Sequence, residues 1–182
     1  MTRFDVPTRD QAAPASQPAF DALQQALGFV PNLFATLAYS PTALPDYLAL
    51  QNRRSSLRAR EREVINLVVS EVNGCRYCQS AHTALGRRAG LTEEQILEVR
   101  GGTAAFDPKL DALARFTHAV AERRGHPEPA VVDAFLAAGY TREHVVDAIM
   151  VIGDKVITNY LHGVTQVPID FPLAPELEPA RG

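Results

Sequence analysis

The stretch Glu61-Arg62-Glu63-Val64-Ile65-Asn66-Leu67-Val68-Val69-Ser70-Glu71-Val72-Asn73-Gly74-Cys75-Arg76-Tyr77-Cys78-Gln79-Ser80-Ala81-His82 decides the reading of this chain. Val64, Ile65, Leu67, Val68 and Val69 are too many apolar positions for a narrow stripe. They predict a central, buried helix over about 57–72, with Ser55 or Ser56 as its N-cap. Asn73-Gly74 breaks that helix, and a new one is expected over about 75–89, stopping at Gly90. The chain's two cysteines then fall in the first turn of the new helix as a C-x-x-C pair. His82 lies four residues beyond Cys78, stacked on the same face, and Cys75 shares that stripe.

Working outward, the rest also reads as helix. Alternating apolar and polar runs are missing, and the β-branched residues sit inside 3.6-residue patterns. Short helices are expected over 20–27, closed by Gly28, over about 32–39, and from Ser40-Pro41 or Thr42 onward. Thr92-Glu93-Glu94-Gln95 is a capping box that opens a helix to about Val99. Further helices are expected over 108–124, 128–138 and 141–160. The fold class is all-α. One internal similarity stands out: Ala89-Gly90-Leu91-Thr92 returns 49 residues later as Ala138-Gly139-Tyr140-Thr141, and the same offset places Val64 on Leu113 and Leu67 on Phe116. The chain therefore reads as two pseudo-symmetric helical modules, of which only the first carries Cys75, Cys78 and His82.

Composition narrows the function classes. The 182 residues are 46% hydrophobic and 21% charged, as in a water-soluble globular protein with a real core. The net charge of -3 gives no global support for a nucleic-acid partner. No run of 18 apolar residues predicts a membrane span. Residues 1–16, polar and with two prolines, read as a flexible segment without the pattern of a signal peptide. Residues 17–166 read as one domain, and 167–182, with four prolines, as an extended tail. The expected location is the cytoplasm, where a C-x-x-C is more often catalytic or metal-binding than a structural staple.

Three readings of the motif stand side by side at this point. The cysteines are buried small hydrophobes, ligands with His82 of a zinc site, or a redox pair. A structural zinc site needs a fourth ligand, and His118, His126, His144 and His162 repeat no ligand spacing. A thioredoxin reading needs a βαβ pattern, and none is visible. The helix start favours redox chemistry, because unpaired N–H groups and the positive end of the helix dipole stabilise a thiolate.

Glu63, Cys75, Cys78 and His82 together follow a glutamate, eleven residues, then C-x-x-C-x-x-x-H. This resembles the carboxymuconolactone decarboxylase and AhpD-like alkylhydroperoxidase superfamily. The approach Gly28-Phe29-Val30-Pro31-Asn32-Leu33-Phe34, the later Ala138-Gly139-Tyr140-Thr141 and Asn159-Tyr160 look like its peroxidase-related branch. The resemblance covers about residues 20–172. It implies an AhpD-like helical fold and reduction of organic hydroperoxides through a cysteine pair, with no cofactor and no metal. In that picture Cys78 is oxidised to sulfenic acid, Cys75 resolves it as a disulfide, and Glu63 and His82 relay protons. It further implies a dithiol or lipoyl-type reductant and a homotrimer or homohexamer. This chain departs from the best-known branch at Tyr77, where that branch has a second histidine between the cysteines. The alternative is thus a thiol-disulfide redox module or sensor with negligible peroxide turnover. Glu71 is the rival relay base, and Tyr77, Asn159 and His162 are further pocket candidates.

Overall fold

The computed structural model describes residues 4–177, and every regular element among them is helical. A 3-10 turn, Arg9–Gln11, precedes α1 (Gln17–Leu27), α2 (Asn32–Leu37), α3 (Ala43–Gln51), α4 (Ala59–Val72), α5 (Arg76–Arg88), α6 (Glu93–Arg100), α7 (Pro108–Glu122), α8 (Pro129–Ala137) and α9 (Arg142–Thr165). The chain forms two compact units. One comprises Met1–Arg54 with Tyr160–Asp170, the other Ser55–Asn159 with Phe171–Gly182.

The second unit is built around α4. Val64, Ile65, Leu67, Val68 and Val69 are all fully buried, as their crowding on one helix predicts. α5, α6 and α7 pack on this helix, and α8 packs on α7. The core continues through Ile96, Val99, Leu113 and a stack of Phe116, Phe135 and Tyr140, whose ring centroids lie 4.5 and 4.3 Å apart. The start of α4 differs from the sequence expectation. Its N-cap is Arg58, whose backbone N–H donates to the Glu61 carboxylate at 2.8 Å. Ser56 instead donates its N–H and hydroxyl to Asp147 on α9, at 2.5 and 2.7 Å. A long-range carboxylate thus takes the serine that local capping preference assigned to the helix.

The 49-residue repeat has a structural counterpart. The offset carries α4 onto α7, the later turns of α5 onto α8, and α6 onto the start of α9. Gly90 and Gly139 both adopt left-handed φ, +87° and +91°, which a side chain at either position would strain. Thr92 and Thr141 each open the next helix by exchanging hydrogen bonds with residue i+3, Gln95 and His144. Where the first copy has the cysteine turn, the second has only the connection before α8.

In the first unit, Ala12, Phe20, Leu23, Ala35, Ala38 and Leu44 form a smaller core. Within 4–16, Arg9 clasps Asp21 through two N–H groups at 2.6 and 2.8 Å, and the Ser16 hydroxyl donates to the Pro41 carbonyl. Asn32, at the start of α2, donates its N–H to Asp170 at 2.7 Å and its side-chain amide to the Pro168 carbonyl. The Pro-rich end of the chain is therefore held here at 168–170. Its next residues run along the second unit, where Ala174 is buried and donates its N–H to the Ser80 hydroxyl. Arg76 and Arg100 bond the carbonyls of Ala174 and Pro175.

Because α4 carries the packing of three helices, Leu67→Ala is expected to cost about 2–5 kcal/mol of stability, the range for emptying a buried leucine site. A shift of the denaturant midpoint at constant slope checks it.

Candidate active site

The turn that places the cysteines follows from how α4 ends. Gly74 takes φ +63°, the Cys75 N–H bonds back to the Ser70 carbonyl at 3.0 Å, and the Gly74 N–H to that of Glu71 at 2.9 Å. This is a Schellman closure, and it needs glycine at the left-handed position. Cys75 is also the N-cap of α5, its Sγ accepting the Cys78 N–H at 3.3 Å. One residue thus terminates α4 and begins α5, so the dithiol is locked to both helices. The two thiols are unbonded and buried, with Cys75 Sγ donating to Cys78 Sγ at 2.7 Å.

Glu63 and His82 also meet. The His82 Nδ1 to Glu63 Oε2 distance is 2.8 Å, and Glu63 Oε1 accepts from the Asn66 amide at 3.0 Å. Burial works to raise the Glu63 pKa, but His82, Lys155 and Asn66 outweigh it and hold the carboxyl below its usual value. Burial, helped by the Lys155 charge, pushes His82 down and exceeds the upward pull of Glu63. The two directions fit one state: a neutral imidazole donating Nδ1–H to a carboxylate, with Nε2 left as a base.

The two thiols are driven apart. The hydrogen bond it donates to Cys78, together with burial, pushes Cys75 up, so it keeps its proton. That same bond pulls Cys78 down to about 7 against its desolvation, with Lys155, Asn159 and Thr158 adding to the pull. The position of Cys78 in the first turn of α5 acts in the same direction. The site can therefore hold one thiolate beside one thiol near neutral pH, with a base on the same helix.

The other sequence candidates fall as follows. Glu71 is taken by Arg100, whose Nε donates to it at 2.8 Å; the fully buried arginine needs that carboxylate, so Glu71 does not join His82. Tyr77 is buried, its ring edge-on to Phe171 at 5.7 Å between centroids. Asn159 is part of the site: its Oδ1 accepts from Asn73 in the cysteine turn at 2.9 Å. His162 lies in the first unit, where its Nε2 meets the Val167 carbonyl at 3.2 Å. Among the described residues, no group of three His, Cys, Asp or Glu side chains could hold a metal ion. Lys155 and Thr158 were not legible as site residues. Their only sequence signal is their spacing before Asn159 and a charged pair, Asp154-Lys155, inside an apolar helix.

Residues 40–117 match the carboxymuconolactone decarboxylase family, and this span holds Glu63, both cysteines and His82. A 54-residue segment is 50% identical to the alkyl hydroperoxide reductase AhpD of Mycobacteroides abscessus; it covers 30% of this chain and 31% of that protein. Over residues 40–117 the chain is similar to that family, and over a shorter segment to AhpD itself. The whole AhpD-like fold recurs in a crystal structure described as an alkylhydroperoxidase AhpD core, an uncharacterized peroxidase-related protein from Ralstonia eutropha. The TM-score is 0.83 at 24% identity, over 93% of this chain and 92% of that one. It also recurs in the debrominase Bmp8 in complex with 2,3,4-tribromopyrrole, with TM-score 0.76 at 18% identity over 93% and 94% of the two chains. At those identities the likeness is one of fold.

Because Glu63 offers His82 a carboxylate at 2.8 Å and pulls its pKa up, Glu63→Gln is expected to lower the His82 pKa further. An NMR titration of the His82 ring protons, displaced to lower pH than in the wild type, checks this.

Proposed function

We propose that this chain reduces hydroperoxides at Cys78, with Cys75 as the resolving thiol and Glu63–His82 as the proton relay. The observation that carries the reading is geometric: two buried thiols in contact at the start of α5, with Cys78 in its first turn, beside an imidazole that a carboxylate holds at 2.8 Å. The Cys78 thiolate attacks the peroxide ROOH, forming an S–O bond as the O–O bond breaks. The leaving RO⁻ takes the proton that His82 received when Cys78 ionised, and departs as the alcohol. Cys75 then attacks the sulfenic sulfur; its own proton leaves with the hydroxyl as water, and the disulfide closes. A dithiol or lipoyl-type reductant returns two electrons and two protons. Such a donor is renewed in a reducing compartment, which fits a cytoplasmic setting. No helix among the described residues is long and apolar enough to cross a membrane.

Tyr77 favours a second reading, thiol-disulfide exchange or sensing without peroxide turnover, since a buried phenol packed on Phe171 replaces an imidazole between the cysteines. One assay separates the two. With an organic hydroperoxide and excess dithiol, a peroxidase turns over continuously, whereas a sensor consumes one equivalent and stops. Under the primary reading, Cys78→Ser and Cys75→Ser each reduce turnover at least about 100-fold, the scale of losing a covalent catalytic group. Wild-type rates in either variant overturn it. The rate is expected to rise with pH through about 7, as Cys78 loses its proton, and then to level off.

A homotrimer or homohexamer is part of the same proposal. Val146, Met150, Ile157, Tyr160 and Val164 are all exposed on α9. With Gly153 they follow an alternating four-three spacing, the pattern of a helix seam that needs a partner. A double substitution, Met150→Glu with Ile157→Glu, is expected to lower the mass seen by sedimentation to that of the single chain. An unchanged mass places the subunit contact elsewhere.

A further inference from the structure

The proposed mechanism uses side chains from α4 and α5 and leaves a buried cluster on α9 unexplained. Lys155, Thr158 and Asn159 are each at most 3% exposed and fall on one face at i, i+3 and i+4. Lys155 has no ion-pair partner among the described residues, an unusual state for a buried ammonium group. Asn159 has its carbonyl oxygen anchored by Asn73 at 2.9 Å, while its Nδ2 is buried without a partner. Asn73 lies two residues before Cys75, so that anchor fixes the free end of Asn159 beside the cysteine turn. Lys155 already acts on the Glu63 carboxylate; the unpartnered Asn159 donor beside the cysteine turn suits a further anion, formed when the thiol ionises.

We propose that Lys155 and Asn159 form the anion-holding wall of this site, Asn159 donating through Nδ2 to the Cys78 thiolate and Lys155 balancing its charge. The inference rests on Cys78 being the reactive thiol. In this proposal Asn159 is the group that meets the sulfur once it ionises. Lys155 acts at longer range and is a positioning residue, as is Asn73, which aims Asn159. The groups that act on Cys78 are Cys75 from the turn before α5 and Lys155, Thr158 and Asn159 from α9; those that act on His82 are Glu63 from α4 and Asp154 and Lys155 from α9; and Asn73 in the turn holds Asn159. Glu63, Asp154 and the thiolate are three negative charges around a neutral imidazole, and Lys155 is the one cation acting on Cys78, Glu63 and His82 alike. The lysine thereby does two things. It favours the thiolate, and it disfavours an imidazolium, keeping His82 available as a base at the pH where Cys78 ionises. Its loss is expected to raise the Cys78 and His82 midpoints together.

The test is the pH dependence of iodoacetamide alkylation of the reduced full-length chain, with Cys78 followed by peptide mass spectrometry. Lys155→Met is expected to raise the Cys78 midpoint by about one unit from about 7, so that alkylation at pH 7 slows about fivefold while the high-pH plateau is kept. Lys155→Arg restores the wild-type midpoint. Asn159→Ala and Asn73→Ala raise the midpoint by smaller amounts, about two- to threefold in rate at pH 7. Unchanged midpoints in Lys155→Met and Asn159→Ala overturn the proposal; if Lys155→Met does not fold, Asn159→Ala and Asn73→Ala decide it. Alkylation consumes no peroxide, so the two readings fail separately. Shifted midpoints without peroxide turnover remove the peroxidase reading and leave this wall standing; normal turnover with unmoved midpoints does the reverse.

Discussion

The burial of α4 is the constraint on which the second unit depends. Five aliphatic side chains leave water on this one helix, and three other helices pack on it to remove them. A helix held so firmly has little freedom left, and its remaining polar stripe becomes a platform. Glu63, Asn66 and Ser70 lie on that stripe. Glu63 meets His82 directly, and Ser70 supplies the carbonyl that receives the Cys75 N–H. The chemistry is attached to the most rigid part of the unit, which is where a site needing sub-ångström placement is best supported.

Each further part of the site comes from a different element and supplies a different physical ingredient. The closure of α4 through Gly74 brings the thiols to a helix N-terminus. α5 adds His82 one turn beyond Cys78. α9 contributes a buried cation and amide. The resulting electrostatics are asymmetric: one hydrogen bond pushes two neighbouring thiols of the same intrinsic chemistry in opposite directions, and the charge of Lys155 adds to the pull on Cys78. The same scaffold is also that of a debrominase, so the fold does not name the reaction.

Much of this was legible locally. The helices follow from apolar periodicity, and the Thr92 box and the glycines at Gly28, Gly74, Gly90 and Gly139 mark ends that the structure places within a few residues. What failed locally failed for one reason. Ser56 has good capping chemistry, yet Asp147, 91 residues away, takes it. Glu71 is nearer in sequence to the cysteines than Glu63, yet it answers the buried charge of Arg100. Competition between partners is settled by burial, which a local pattern does not contain.

The sequence by itself determined the all-helical class, the cysteine pair at a helix start, the stacking of Cys78 and His82, and the 49-residue repeat. All of these are set by residues within a turn or two of one another or by a repeated pattern. Tertiary structure decided between Glu63, which the resemblance favoured, and its rival Glu71, and it alone decided that His162 lies in the other unit and that α9 sets Asn159 against the cysteine turn. Those outcomes depend on which distant helix covers which face, and the free energy that selects among them is the burial of apolar surface around α4 together with the need to give buried polar groups a partner.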